Sequence, residues 1–392
     1  MNSSATASGV QLPVYLDNHA TTPVDPRVLQ AMLPFLSNKF GNAASHSHQF
    51  GWDAEAAVNL ARKNIATLIG ASLSEIVITS GATESDNLAI LGVAEANRNK
   101  GNHIITAATE HKAVLDSCRH LETLGFRITR LPVGSDGRID LEQLRTAMSP
   151  DTILVSIMAA NNEIGVIQPL EEIGELCRER DVLFHSDAVQ ALARMPFDVN
   201  KLNIDLASLT AHKCYGPKGC GALYVRNGVK VAPLIHGGGH EHGLRSGTLN
   251  VPGIVGFGAA CEIALRELPE ESCRIAGLRN RLLKRLQDEL DELSVNGSME
   301  HRLPGNLNLC FHQVDGETLM TAIKQVAVSS GSACSSDKVE PSHVLKGIGL
   351  SDEDAGSSIR FGVGRFNTEA EIEFAGACVI EAVKKLRELS TV

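Results

Sequence analysis

From residue 14 to about residue 265 the chain alternates short runs of branched aliphatic residues with stretches of helical periodicity. Ile76-Val77-Ile78-Thr79 reads as a buried strand, followed by a helical stretch at 84–97. The pair recurs as a strand at 103–106 with a helix at 113–124, and as a strand at 153–158 with a helix at 170–180. Apolar runs at 182–185 and 206–209 add two more strands. Such alternation predicts an α/β fold with a mostly parallel sheet between two layers of helices. Ligands bind these sheets beyond the carboxyl ends of the strands. Residues 80–83, His111, Asn161-Asn162, Asp187 and His212-Lys213 all follow strand ends, so the pattern gathers them at one edge.

Near 268–272 the pattern changes. Ile275, Leu278, Leu282, Leu286, Leu290 and Leu293 recur at spacings of three and four, which predicts one long amphipathic helix. A strand at 307–311, a helix at 316–324 and a terminal helix at 369–389 follow. The reading is a large domain at 19–267 and a smaller α+β domain built from 1–18 and 268–392. The small domain carries a loop at about 329–341. No internal repeat or low-complexity linker is visible.

A chain of 392 residues exceeds one ordinary core, in keeping with two domains. Its formal net charge of -10 argues against nucleic acid or an anionic membrane as the main partner. No apolar run reaches the roughly 20 residues that span a bilayer. Residues 1–9 lack the basic and apolar regions of a signal peptide and read as a frayed tail. Nine cysteines lie scattered without a CxxC pair, so no disulfide scaffold, zinc site or thioredoxin motif is expected, and a reducing cytoplasm fits best. The tract from His236 to His242 holds three glycines and matches no zinc spacing, so no metal is expected there either.

Candidate chemistry centres on Thr210-Ala211-His212-Lys213-Cys214-Tyr215-Gly216. A lysine on a turn after a buried strand is placed to lose solvent, and a desolvated amine can form an imine with an aldehyde. Val182-Leu183-Phe184-His185-Ser186-Asp187 ends a strand in a carboxylate. A lysine for the imine and a carboxylate for a pyridinium nitrogen are the protein's share of pyridoxal 5'-phosphate (PLP) chemistry. Thr79-Ser80-Gly81-Ala82-Thr83 joins a strand to a helix, where small residues let backbone N–H groups approach a phosphate. The same residues also suit an ordinary helix cap. His111 can stack on a flat ring or exchange protons. Asn162 and Gln190 can reach a ring oxygen, and Asn162 also a substrate carboxylate. Arg360 is a candidate carboxylate clamp. Arg245-Ser246-Gly247-Thr248 offers a guanidinium and hydroxyls to a phosphate. In Ser329-Ser330-Gly331-Ser332-Ala333-Cys334-Ser335-Ser336 eight small residues have little to pack with, so a mobile loop with an accessible thiol is expected.

These motifs resemble the NifS/IscS-like cysteine desulfurases, which are class V aminotransferase-like, fold-type I PLP enzymes. The likeness runs from Tyr15-Leu16-Asp17-Asn18-His19-Ala20-Thr21-Thr22-Pro23 to Ser358-Ile359-Arg360-Phe361. It implies Lys213 as the Schiff-base lysine, Asp187 at the pyridinium nitrogen and His111 over the ring. It implies Gln190 and Asn162 around the ring hydroxyl and the substrate, and Arg360 at the substrate carboxylate. Ala82, Thr83, Thr210 and His212 become the phosphate cup, with Thr248 reaching in from the second subunit of a homodimer. Cys334 becomes the nucleophile that takes sulfur from L-cysteine as a persulfide and passes it to an acceptor such as an iron–sulfur scaffold.

Some features depart from that family. Gly41-Asn42-Ala43-Ala44-Ser45 lacks the usual proline, and Cys214 and Cys220 stand where aliphatic residues are commoner. The sequence closes on Leu389-Ser390-Thr391-Val392, so docking of a scaffold through a longer tail is not expected. A selenocysteine or cystine lyase on the same fold is the alternative, and so is a PLP-binding sulfur carrier without turnover. Cys334 favours desulfuration over the lyases.

Overall fold

Five of the central strands are buried along their whole length, which is why most of their positions carry apolar or small residues. The computed structural model describes residues 10–330 and 341–390. The chain enters through β1 (Val14–Tyr15), α1 (Pro26–Leu36) and α2 (Gln49–Leu68). The strand–helix series is β2 (Ile76–Thr79), α3 (Ala82–Ala96), β3 (His103–Ala107), α4 (Lys112–Thr123), β4 (Arg127–Leu131), α5 (Leu141–Ala147), β5 (Thr152–Ser156), α6 (Leu170–Glu179), β6 (Leu183–Asp187), β7 (Leu206–Thr210) and β8 (Gly221–Val225). The remainder is α7 (Val251–Glu289), β9 (Leu293–Val295), β10 (Asn306–Phe311), α8 (Gly316–Ala322), β11 (Val326–Ala327), α9 (His343–Gly347), α10 (Asp352–Gly356), β12 (Ser358–Gly362) and α11 (Glu369–Ser390).

The seven-stranded sheet has the order β2-β8-β7-β6-β5-β3-β4. Only β8 runs against its neighbours; the other pairings are parallel. The mostly parallel α/β sheet expected from the alternation is therefore the observed one. A second, antiparallel sheet has the order β12-β10-β9, and β1 pairs with β11.

The long helix differs from expectation. It starts at Val251, runs through Pro269 and stops at Glu289, so Leu290 caps it and Leu293 opens β9. Ile254, Phe257 and Cys261 pack into the core under the large sheet, while Ile275, Leu278, Leu282 and Leu286 pack into the core of the small sheet. No residue from 265 to 274 is buried, so the apolar periodicity lapses where the helix touches neither core. The segment after β1 links the same two regions. Asn18 Nδ2 donates to Gly362 O at 2.8 Å, and Thr22 Oγ1 donates to His212 O at 3.0 Å.

Candidate active site

β6 and β7 end side by side, and their parallel register sets Asp187 opposite Ser208. A one-turn 3-10 helix, Ala211–Lys213, then turns Lys213 over the sheet edge. Lys213 Nζ donates to the carbonyls of His19 at 2.5 Å and Ala20 at 2.6 Å. One cleft of about 970 Å3 is lined by Ala82, Thr83, His111, Asn162, Asp187, Gln190, Thr210, His212, Lys213 and Arg360. Thr248 is exposed and does not line it. Cys334 and the rest of 331–340 lie outside the described residues, but the flanks are at the cleft. Ser329 and Arg360 exchange main-chain bonds, and Ser342 Oγ donates to Glu163 Oε2.

At the N-terminus of α3, Gly81 supplies no side-chain cap. A Cβ added at Gly81 meets only Thr210 Oγ1, at 3.9 Å, so the first turn faces open space. Behind it, a Cβ at Gly221 would sit 2.6 Å from Gly81 Cα, so the close approach of β8 to this turn requires glycine there. His111 caps α4, its Nδ1 accepting from Ala113 N at 3.1 Å, which leaves Nε2 to carry the proton of the neutral ring. Arg360 is 4% exposed; its Nη2 pairs with Asp17 Oδ1 at 2.8 Å and its Nη1 donates to Asn162 O at 2.9 Å. Among the described residues, three N–H groups of its guanidinium remain for a ligand. Gln190 is more engaged than expected. Its Nε2 donates to His19 O at 3.0 Å, and its Oε1 accepts from Arg194 and lies 2.9 Å from His19 Nδ1.

Sequence reasoning gave no role to His19, Arg194, Asp17 or Glu163. Arg194 Nη2 donates to Asn18 O at 2.7 Å and to Lys213 O at 3.0 Å, tying the first segment to the lysine turn. His19 Nε2 is buried without a hydrogen-bond partner among the described residues. Burial and the neighbouring Arg194 hold His19 well below the ordinary histidine value.

Burial raises Asp187, while His111 and Lys213 act against that shift. Behind it Asp86 is held well above the usual carboxylate range by burial and by Asp187. Burial pulls His111 below its ordinary value, opposed by Asp187 and reinforced by Lys213. His212 falls to about 4 through burial and the charge of Lys213. The two histidines nearest the lysine are therefore neutral near pH 7, and His111 can take up or give a proton.

Glu163 is pushed from 4.5 up to about 7 by burial, against the Ser342 hydrogen bond and Arg360. A raised acid contributes stability that is complete below about 4.5 and is lost as pH rises through about 7. Gln at this position keeps the acceptor and removes the titration. The Glu163→Gln variant therefore gains on the parent by about 2.5 kcal/mol between pH 5 and pH 8. Urea unfolding of both proteins at the two pH values measures the difference; a constant offset would refute the assignment.

The class of protein is defined by this fold and cleft. The aminotransferase class-V family model matches residues 14–374, and the chain belongs to that family. Within it the similarity is to cysteine desulfurases. The chain is 60% identical over 383 residues to the cysteine desulfurase IscS of Anaeromyxobacter sp. (strain Fw109-5), covering 97% of this chain and 95% of that one. It is 55% identical over 381 residues to the cysteine desulfurase IscS of Rickettsia felis, covering 97% and 93%. Among solved structures, a NifS-like protein superposes with a TM-score of 0.89 at 41% identity, covering 95% of this chain and 99% of the other. SspA in complex with cysteine gives 0.81 at 39% identity, covering 91% and 100%.

Proposed function

We propose that the protein is a PLP-dependent cysteine desulfurase that converts L-cysteine to L-alanine and leaves the sulfur as a persulfide on Cys334. The observation that carries this reading is the gathering of Lys213, Asp187, His111 and Arg360 around one cleft.

The residues fit PLP. The uncapped turn of α3 with its open space at Gly81 suits a phosphate. The buried Nε2 of His19 and Nε of Arg360, which have no partner among the described residues, suit polar ligand atoms. Lys213 would hold the aldehyde carbon, Asp187 the ring nitrogen, and Ala82, Thr83, Thr210 and His212 the phosphate. Gln190 would lie near the ring hydroxyl. When bound, the cofactor supplies the electron sink that lets the Cα–H bond of cysteine ionise and makes its sulfur electrophilic.

Arg360, oriented by Asp17, and Asn162 bind the cysteine carboxylate. Lys213 takes the proton from Cα and later returns a proton to the carbon skeleton. His111 carries the proton released when a thiol becomes a thiolate. The Cys334 thiolate attacks the substrate sulfur: an S–S bond forms, the Cβ–S bond breaks and its electron pair stays with carbon. Cysteine plus the enzyme thiol thus gives alanine plus the enzyme persulfide, with no outside oxidant.

Thr248 would reach the phosphate site of a second copy, making the working unit a homodimer. We place the cofactor in a domain of 19–267 and the sulfur-carrying loop in one of 1–18 plus 268–392; the separate apolar clusters beside the large and small sheets support that division. No helix among the described residues is long and apolar enough to cross a membrane. A cytoplasmic location and a sulfur-acceptor protein, such as an iron–sulfur scaffold, complete the proposal.

Purified protein given L-cysteine and a reducing thiol releases alanine and sulfide in equal amounts, and its visible absorbance band shifts on adding cysteine. A band that shifts without alanine release would point to a binding protein instead.

A further inference from the structure

The scattered cysteines and the glycine-rich histidine tract led us to expect no metal site. The fold nevertheless brings together three different donors. Cys310 lies in β10, His312 just beyond it, and Asp354 in α10, 44 residues from the cysteine. Cys310 Sγ is 3.6 Å from His312 Nδ1 and 3.7 Å from Asp354 Oδ1. His312 Nδ1 is 2.9 Å from Asp354 Oδ1.

Tetrahedral zinc bonds sulfur at about 2.3 Å and nitrogen or oxygen at about 2.0–2.2 Å. Those lengths set a sulfur-to-nitrogen or sulfur-to-oxygen edge of roughly 3.6 Å and a nitrogen-to-oxygen edge of roughly 3.4 Å. Two of the three edges already have the coordination value. The third opens by about 0.5 Å through small rotations of two side chains, His312 and Asp354, that are 34% and 37% exposed. That exposure also gives an ion a way in.

Each donor is held from behind. Ser294 Oγ lies 3.0 Å from His312 Nε2, fixing the ring from its far side. Ser351 Oγ donates to Asp354 Oδ2 at 2.9 Å, which leaves Oδ1 toward the other two. Cys310 is the middle member of the small sheet, paired with Ser294 on one side and Ser358 on the other. Outer contacts of this kind orient ligands in metal centres. Cys310 Sγ also donates to Asp354 O at 3.4 Å, which keeps the thiol turned toward the same point. A nucleophilic triad fits poorly, because burial and Asp354 push the thiol up to about 11. A bound cation displaces that proton directly.

We propose that Cys310 Sγ, His312 Nδ1 and Asp354 Oδ1 bind one zinc-class divalent cation, with water in the fourth position. The thiol proton leaves to solvent on binding. The mixed thiolate, imidazole and carboxylate set favours zinc over magnesium or calcium.

The test uses the full-length protein carrying Cys334→Ser, so that the reactive loop adds no thiolate. Stripped protein is titrated with zinc against a chromophoric chelator, and with cobalt(II) to read thiolate-to-metal absorption. The expected result is one zinc per chain, a cobalt–thiolate band and a raised unfolding temperature. Adding Cys310→Ser or Asp354→Asn weakens binding at least about tenfold and removes the thermal gain. Because Asp354 is half-exposed, its variant keeps the fold if the cysteine variant does not. Equal zinc affinity in folded Asp354→Asn protein, or no zinc uptake by the Cys334→Ser parent, overturns the site.

Discussion

Alanine release from L-cysteine falls by about three orders of magnitude or more when Lys213 is replaced by alanine. Two losses combine in that figure: the amine that would hold the cofactor, and the base that moves the Cα proton. The fold around it should survive. The main chain at Lys213 is fixed by Arg194, which donates to its carbonyl at 3.0 Å, and Cys214 N bonds Ala211 O at 3.0 Å. The side chain's own contacts to His19 O and Ala20 O are made by carbonyls at the edge of an open cleft, where water can replace it. Lys213→Arg is the sharper control: it keeps a positive charge beside Asp187 but offers no base near neutral pH. Single-turnover alanine release, with unfolding temperature alongside, checks both. Activity within tenfold of the parent in either variant would remove Lys213 from the mechanism.

Cys334→Ser is expected to lower alanine formation from cysteine by about two orders of magnitude or more while leaving cofactor absorbance and its shift on cysteine intact. A hydroxyl is a poor nucleophile without a strong base beside it, whereas a thiol is partly ionised at neutral pH. In the proposed mechanism substrate is held by Arg360 and Asn162, without this residue. With selenocysteine the variant should lose less, because elimination of selenium needs no enzyme thiol. Full cysteine turnover in the variant would instead favour lyase chemistry on this fold.

The sheet and the cleft were legible in the chain for one reason: strands buried on both faces are rich in apolar residues, and such runs stand out. Asp187, Lys213 and His111 follow those runs directly. The reversal of β8 was not legible, because Gly221-Ala222-Leu223-Tyr224-Val225 has the same composition whichever way it runs. The full extent of α7 was hidden because the turn between its two halves contacts neither core. His19, Asp17 and Arg194 were invisible for a different reason. Apart from Gln190, four residues before Arg194, their partners lie 171 to 343 residues away or on carbonyls, so no local period marks them. The three donors of the proposed cation site could not be grouped from the chain for the same reason, since the third sits in another element.

The pairing of Asp17 with Arg360 has a temporal meaning. During synthesis Asp17 leaves the ribosome 343 residues ahead of its partner. At roughly 5–20 residues per second, it waits about 20–70 seconds. The sheet edge with Asp187 and Lys213 can assemble in that interval, but the Asp17–Arg360 pair cannot. If the proposed function holds, a nascent chain therefore acquires its place for the cofactor well before its place for cysteine, and sulfur chemistry waits until Arg360 has been made.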